Sequence, residues 1–157
     1  MAAPEPRTRP DVGLSHVALT TANLNSSLDF YARYAGLEAI HRRGDPGREV
    51  AWLSDGARHF VLVLVEDNQV AVRLEGTTHL GVGCTSRSEV DRLCALAARN
   101  QCLLREPQDI GPPVGYMALL RDPDGHNLEL SYGQQVGAAV DAGPLSAAQD
   151  DAAARQR

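Results

Sequence analysis

The sequence predicts an α+β fold made of two tandem βαβββ modules. Each half of the chain begins with a strand-like run, continues with a segment of helical spacing and ends with three further strand-like runs. The two halves also match in detail. His16 and His79 lie on the opening runs, and segment 51–55 matches segment 118–122 at nearly the same interval. Such a match indicates one structural unit that occurs twice.

The first module begins with an apolar run at residues 14–20. Residues 23–35 carry apolar side chains at helical spacing, and Gly36 follows as a residue that readily ends a helix. Three strand-like runs come next, at residues 37–42, 49–54 and 58–66. The Asp55-Gly56 pair predicts a turn between the last two runs, which therefore form a hairpin.

The second module repeats this order. It begins with a strand-like run at residues 78–85, and a helix is predicted over residues 86–100 because Ser86 can cap it and an apolar stripe follows. Three strand-like runs complete the module, at residues 102–105, 116–121 and 126–132. The Asp-Pro-Asp-Gly segment at residues 122–125 predicts the turn between the last two.

We expect the structured domain to cover residues 12–133, with modules at about 12–67 and 76–133. Residues 1–11 are expected to be a disordered leader and residues 134–157 a flexible tail, because neither end has enough large apolar side chains to order itself. No run has the apolar pattern of a secretion signal or a membrane span. We therefore expect a cytoplasmic protein with reduced thiols.

Length and charge exclude several classes of function. A chain of 157 residues suits one domain with a core that needs no disulfide or metal to fold. All 15 basic residues are Arg, so a Schiff-base lysine and the lysine of a phosphate-binding P-loop are excluded. The net charge of −5 argues against a nucleic-acid partner. A small organic molecule is the expected partner.

Four segments in order resemble the vicinal oxygen chelate superfamily, which groups glyoxalases, bleomycin-resistance-type binding proteins, phosphonate-antibiotic transferases and extradiol dioxygenases. The segments are Gly-Leu-Ser-His-Val-Ala-Leu at 13–19, Ser-Leu-Asp-Phe-Tyr at 27–31, Thr-His-Leu-Gly-Val at 78–82 and Asp-Pro-Asp-Gly-His-Asn-Leu-Glu at 122–129. The resemblance implies that two curved, mixed sheets enclose a metal-binding cleft. It also implies His16, His79 and Glu129 as the metal ligands.

The chemistry of these three side chains is consistent with that implication. Two imidazoles and one carboxylate with further positions open suit Fe(II), and they are compatible with Mn, Co, Ni or Zn. The set has no thiolate, which disfavours a closed structural zinc site.

A fourth ligand would have to come from the first module, where Leu62 and Glu66 compete for the place opposite Glu129. The hairpin match favours Leu62, whereas the interval between His16 and His79 favours Glu66. The two side chains are separated by about 13 Å along a strand, so only one can lie at the metal. We interpret Leu62 as the residue in the cleft and Glu66 as a strand-end surface carboxylate, which leaves three protein ligands.

Other candidate residues follow from strand alternation. Apolar side chains are expected to line the substrate site, namely Phe60, Leu62 and Leu119. Asn127 and Ser131 share the alternation of Glu129, and they are either hydrogen-bond partners at the metal site or ordinary polar strand residues. Tyr116 is a weak catalytic candidate, because ring-cleaving members of the family have a tyrosine on this strand.

The first expectation for function is an Fe(II) oxygenase acting on a small aromatic or quinonoid substrate that chelates the metal through neighbouring oxygens. One alternative is a glyoxalase-like lyase or isomerase, and another is a metal-free antibiotic-binding protein. The resemblance implies a homodimer. It leaves open whether the two modules of one chain pair with each other or with those of a second chain.

Overall fold

The computed structural model describes residues 13–143, so the predicted leader (1–11) and residues 144–157 of the predicted tail lie outside the described part. The first module contains β1 (His16–Thr21), α1 (Leu24–Ala35), β2 (Glu38–Arg43), β3 (Val50–Ser54) and β4 (Val61–Glu66). The second contains β5 (Leu80–Gly83), α2 (Arg87–Arg99), β6 (Leu103–Asp109), β7 (Tyr116–Arg121) and β8 (Asn127–Tyr132). The predicted α+β fold of two βαβββ modules is confirmed.

Each module forms one four-stranded mixed sheet. The strand orders are β1-β4-β3-β2 and β5-β8-β7-β6, so the two sheets have the same topology. In both sheets the first strand runs parallel to the last, and the other neighbours are antiparallel. We call them the first and the second sheet.

Both main helices begin where the sequence predicts. Asn23 accepts a hydrogen bond from the amide of Ser26 at the start of α1, and Ser86 accepts one from the amide of Glu89 at the start of α2. Gly36 ends α1 in the left-handed conformation, with φ 63°, which a residue without a Cβ adopts at little cost.

The helix-bearing sides of both sheets pack into one hydrophobic core. Leu24 and Tyr31 of α1 and Val90 of α2 are almost completely buried in it. Alternate residues of β1, β3, β4, β7 and β8 complete the core, namely Leu19, Ala51, Leu53, Leu62, Leu64, Ala118, Leu120, Leu128 and Leu130. Since side chains alternate along a strand, each sheet keeps a second face that points away from this core. We call it the cleft face of that sheet.

The turn between β7 and β8 connects the second module to the first. Asp122 Oδ2 accepts a hydrogen bond from the Tyr31 hydroxyl at 2.9 Å. Asp124 accepts one from the amide of Ala22 at 2.8 Å and one from the Ser27 hydroxyl at 3.1 Å. Burial raises the pKa of Asp122, and hydrogen bonds from the amide of His126 and from Tyr31 oppose that rise.

His126 adds a second connection. Its Nδ1 accepts a hydrogen bond from the amide of Leu74 at 3.0 Å, so the proton of the neutral ring lies on Nε2. That nitrogen donates to the carbonyl of Thr20 at 3.0 Å. The ring is therefore buried with both nitrogens engaged, and it has a structural role at the module boundary.

The two β-hairpins that match in sequence differ by one residue in length. Residues 54–61 connect Leu53 to its strand partner Leu62, whereas the shorter segment 121–127 connects Leu120 to Leu128. The sequence match therefore holds for β3 and β7 but is displaced by one residue in β4 and β8. A displacement of one residue exchanges the two faces of a strand.

The part of the predicted tail that the structure describes is partly helical. Residues Val136–Ala142 form a short helix, α3, whose side chains are all exposed. Its small residues lack an apolar periodicity, which is why the sequence did not predict it. Within residues 13–143, no helix is both long and apolar enough to cross a bilayer.

We predict that Tyr31→Phe lowers the free energy of unfolding by about 1–3 kcal/mol at neutral pH, because a buried carboxylate loses its hydroxyl partner. The loss should shrink as the pH falls through the raised pKa of Asp122, above the ordinary range of Asp, because a protonated Asp122 needs this donor less. Urea denaturation at a fixed protein concentration measures both effects.

The matched control is Tyr132→Phe, since Tyr132 is 41% exposed and its hydroxyl makes no hydrogen bond within the described residues. This variant should differ from the wild type by less than about 0.5 kcal/mol. Equal losses in the two variants, or a Tyr31→Phe loss that does not change with pH, would contradict the prediction.

Candidate metal centre

Two of the three predicted ligands meet on the cleft face of the second sheet. Glu129 lies on β8 with Gly81 of β5 as its strand partner, and His79 immediately precedes β5. The Nε2 atom of His79 is 3.3 Å from Oε2 of Glu129. The carboxylate is buried, whereas the imidazole side chain is 37% exposed.

The orientation of the His79 ring makes this pair chemically informative. Its Nδ1 donates a hydrogen bond to the carbonyl of Thr77 at 2.9 Å, so in the neutral ring the lone pair lies on Nε2. An imidazole lone pair and a carboxylate then face each other at close range. Two such electron-pair donors need a proton or a cation between them.

Asn127 and Ser131 flank Glu129 on the same face and are almost completely buried. The Asn127 amide donates to the carbonyls of Gly76 and Thr78 in the segment that leads to His79, at 3.2 and 3.3 Å. The Ser131 hydroxyl donates to Val82 on β5 at 3.3 Å. Both residues therefore bind the backbone around His79 and Glu129 and hold β5 against β8.

The Oδ1 atom of Asn127 is a buried acceptor without a hydrogen-bond partner in the described part of the chain. A buried polar atom of this kind is costly unless something electropositive satisfies it. Asn127 lies two residues from Glu129 on the same face of β8, so the oxygen and nitrogen donors on this face are of kinds that divalent cations accept.

His16 is not part of this group. It lies at the start of β1, is exposed, and shares a hydrogen bond between its Nδ1 and the Ser15 hydroxyl at 2.9 Å. It lines a cavity of about 710 Å³ whose described lining residues all belong to the first module. Among residues 13–143 of one chain, no group of three His, Cys, Asp or Glu side chains is placed to hold a metal.

The shared core explains this separation. Both sheets direct their helix-bearing sides into the core, so the cleft faces, which carry His16 on one sheet and Glu129 on the other, point away from each other. The two modules of one chain therefore do not form a cleft that encloses all three predicted ligands.

The expected position of Leu62 was wrong. In the first sheet, Val63 occupies the place that corresponds to Glu129 in the second. Val63 pairs with Ala18 of β1 in the same way that Glu129 pairs with Gly81 of β5. Leu62 is the partner of Val17 on the core side, because the first hairpin is one residue longer. Since a valine stands there instead, the first module still supplies no second carboxylate.

Glu66 is occupied elsewhere. Its carboxylate accepts hydrogen bonds from the amides of Leu24, at the start of α1, and Glu49, both at 3.3 Å. A carboxylate at a helix N-terminus is stabilised by the free amides there.

The expected catalytic position of Tyr116 was also wrong. Tyr116 shares its face of β7 with Ala118 and packs on the helix side, where its hydroxyl donates to Asp91 of α2 at 2.6 Å. The ring also lies 4.8 Å from the Arg87 guanidinium. Strand alternation thus points it away from Glu129.

The apolar candidates fall into two groups. Leu119 is the strand partner of Glu129 and lies buried on the same face. Phe60 precedes β4, is 37% exposed and lines both the cavity beside His16 and a second cavity of about 650 Å³ between the modules. Leu62 and Ser131 also line that second cavity.

Two cleft-face residues that were not predicted as ligands or catalytic groups, Trp52 and Arg43, line the large cavity beside His16. Trp52, the partner of Val63, is 40% exposed in the large cavity, and the ring of His41 lies 5.0 Å from its ring. Arg43 lies further along the same face. The sequence could have indicated the face of Trp52, because the match between the two hairpins aligns Trp52 with Leu119, the strand partner of Glu129.

Known proteins resemble this chain over most of its length. A model of the Glyoxalase/Bleomycin resistance protein/Dioxygenase superfamily matches residues 13–130. The uncharacterized protein PA2024 of Pseudomonas aeruginosa is 34% identical over 135 residues, which cover 84% of this chain and 96% of that protein.

Solved structures share the fold at low identity. A variant of the fosfomycin resistance protein FosX from Listeria monocytogenes, in complex with Mn(II) and 1S,2S-dihydroxypropylphosphonic acid, has a TM-score of 0.62 at 20% identity and covers 82% of this chain and 98% of its own. The antibiotic binding protein TnmS3 from Streptomyces has a TM-score of 0.58 at 18% identity and covers 76% and 94%. The match of the family model to both modules places this chain in the Glyoxalase/Bleomycin resistance protein/Dioxygenase superfamily.

Proposed function

We propose that the protein is a metal-dependent enzyme whose site holds a divalent cation between His79 and Glu129 of one subunit and His16 of the partner subunit. The observation that carries this proposal is the pair formed by the His79 lone pair and the buried Glu129 carboxylate, 3.3 Å apart. Two His and one carboxylate with open positions are the donor set typical of non-haem Fe(II) enzymes.

The dimer follows from the incomplete site. Each chain has His16 on one outward face and the His79 and Glu129 pair on another, so neither face holds three ligands by itself. A two-fold dimer that places the first sheet of one subunit over the second sheet of its partner completes two identical sites. The exposed apolar side chains on the cleft face of the first sheet, among them Trp52 and Val65, are consistent with a covered surface.

When bound, the cation would supply Lewis acidity at two neighbouring oxygens of a substrate and, as Fe(II), one-electron chemistry toward dioxygen. The chain binds and orients the substrate and excludes water. Val63 takes the place of a fourth ligand, so coordination positions stay open for the substrate. Leu119 and Met117 provide a buried apolar wall on the second sheet.

The first candidate reaction is oxygenation of a small catechol-like or quinonoid molecule. Such a substrate supplies its own electrons and needs few acid–base groups from the protein. The cleft suits it, because Trp52 offers a ring for stacking. A glyoxalase-like isomerase is less well supported, because Val63 stands where a second carboxylate would shuttle the proton.

A second candidate is a binding protein that sequesters an aromatic compound without chemistry. The exposed Trp52 in the cavity of about 710 Å³ favours it. This function does not need the pairing of His79 with Glu129, so metal binding distinguishes the two candidates.

Glu129→Gln should weaken binding of Mn(II) or Fe(II) at least about tenfold, since even indirect partners of metal ligands have effects of that size. Calorimetric titration of the purified protein measures the affinity. Glu66→Gln is the matched control, because its carboxylate serves the backbone of α1, and it should leave the metal affinity unchanged while lowering stability. Equal affinities in Glu129→Gln and the wild type would overturn the assignment.

Mixing subunits tests the shared site. His16→Ala and Glu129→Gln chains should each lack high-affinity metal binding, whereas unfolding and refolding them together should restore about a quarter of the wild-type sites, because half of the dimers then contain one intact site. Refolding either variant alone is the control. If the mixture recovers nothing although mixed dimers form, the three ligands do not come from two chains.

Reaction class is tested by anaerobic reconstitution with Fe(II), followed by oxygen uptake on a panel of catechols and hydroquinones. Uptake that depends on both metal and substrate, and that Glu129→Gln abolishes, is the expected result. Turnover of such substrates without oxygen would instead indicate Lewis-acid chemistry. Tight substrate binding by metal-free protein, with no turnover, would favour the binding protein.

A further inference from the structure

The cavity beside His16 has an unusual charge for this chain. The protein carries 20 Asp and Glu against 15 Arg, yet no Asp or Glu is among the described residues that line this cavity. Its cationic side chains are Arg43 and Arg58, and His16 and His59 add two imidazoles. The local field is therefore positive in a protein whose net charge is negative.

The two arginines of β2 show how this arises. Arg42 and Arg43 are neighbours on a strand, so their side chains take opposite faces. Arg42 makes a two-pronged ion pair with Glu49, at 2.8 and 2.6 Å, and also donates to Asn25 of α1 at 3.1 Å. Arg43 takes the cleft face and has no acidic partner within residues 13–143.

Arg58, by contrast, already pairs with Asp55 beside it in the hairpin turn. Its charge is locally balanced. Arg43 is thus the cation of this cavity that the described chain does not neutralise.

The floor between Arg43 and His16 is apolar. Val61, Val63 and Val65 of β4 line the cavity together with Trp52 of β3. Three inter-strand spacings, about 14 Å in all, separate β1, which carries His16, from β2, which carries Arg43. The registers also place His16 in the row of Val61 and Arg43 in the row of Val65, which adds about 13 Å along the strands. A ligand that spans both ends must have an apolar or aromatic middle.

We infer that the substrate is an elongated organic acid, with an anionic group bound by Arg43, an apolar or aromatic body on Trp52 and Val63, and its metal-chelating oxygens at the His16 end. This inference deepens the proposed function and rests on it for the chelating end only. The anion site itself requires no metal, because Arg43 and the apolar floor belong to one sheet of one chain.

The test uses fluorescence, because Trp52 is the single tryptophan of the chain and lies in the cavity. The wild-type protein is titrated with 4-phenylbutanoate and with the neutral 4-phenylbutanamide, which have the same apolar body. The acid should change the Trp52 emission saturably and bind about tenfold more tightly than the amide, as expected for a hydrogen-bonded charge.

Arg43→Gln should remove this preference, whereas Arg43→Lys should keep part of it because the charge remains. Arg42→Gln is the matched control: it removes the neighbouring arginine on the other face and should keep the full preference. Thermal unfolding of each variant verifies that the fold is intact.

Equal binding of acid and amide, no saturable binding of the acid, or a full preference in a folded Arg43→Gln protein would each overturn the inference. Repeating the titration with and without Mn(II) separates this result from the metal assignment. The preference for the acid should appear in both conditions, whereas failure of the proposed function would appear in the metal titration and the subunit mixing.

Discussion

The shared hydrophobic core is the constraint on which the rest of the structure depends. Each sheet gives one face to this core, together with its helix, so only the opposite face remains for chemistry. The turn between β7 and β8 fixes the two modules in that arrangement, because Asp122 and Asp124 bind Tyr31 and the start of α1 from the other half of the chain. A single subunit consequently presents His16 and the pair formed by His79 and Glu129 on separate faces rather than in one cleft.

This arrangement gives the two sheets different tasks. The second sheet provides a close pair of electron-pair donors, a buried carboxylate and a partly exposed imidazole, and Asn127 and Ser131 hold the backbone around it. The first sheet provides an open apolar surface with His16 at one end and, at the other, Arg43, which has no acidic partner among residues 13–143. Under the proposed function, duplication of one module has thus produced a sheet suited to a metal and a sheet suited to an organic ligand.

Local patterns in the sequence predicted most of the fold. Asn23, Gly36 and Ser86 mark helix ends through hydrogen bonds and backbone conformation that involve only near neighbours. The pair formed by His79 and Glu129 came from the family motifs rather than from such patterns. The face of Leu62 could not be predicted reliably, because a hairpin of unknown length separates it from the strand used for alignment. The separation of His16 from His79 and Glu129 depends on how the two modules pack, and no short segment of the sequence encodes that packing.

The extra residue in the first hairpin has a consequence for how duplicated modules diverge. Deletion of one codon there would exchange the two faces of β4, sending Leu62 and Leu64 outward and Val61 and Val63 toward the helix. No single substitution reassigns so many side chains at once. Changes in hairpin length are therefore an efficient evolutionary route by which two copies of one gene segment acquire unlike surfaces while their backbones remain superimposable.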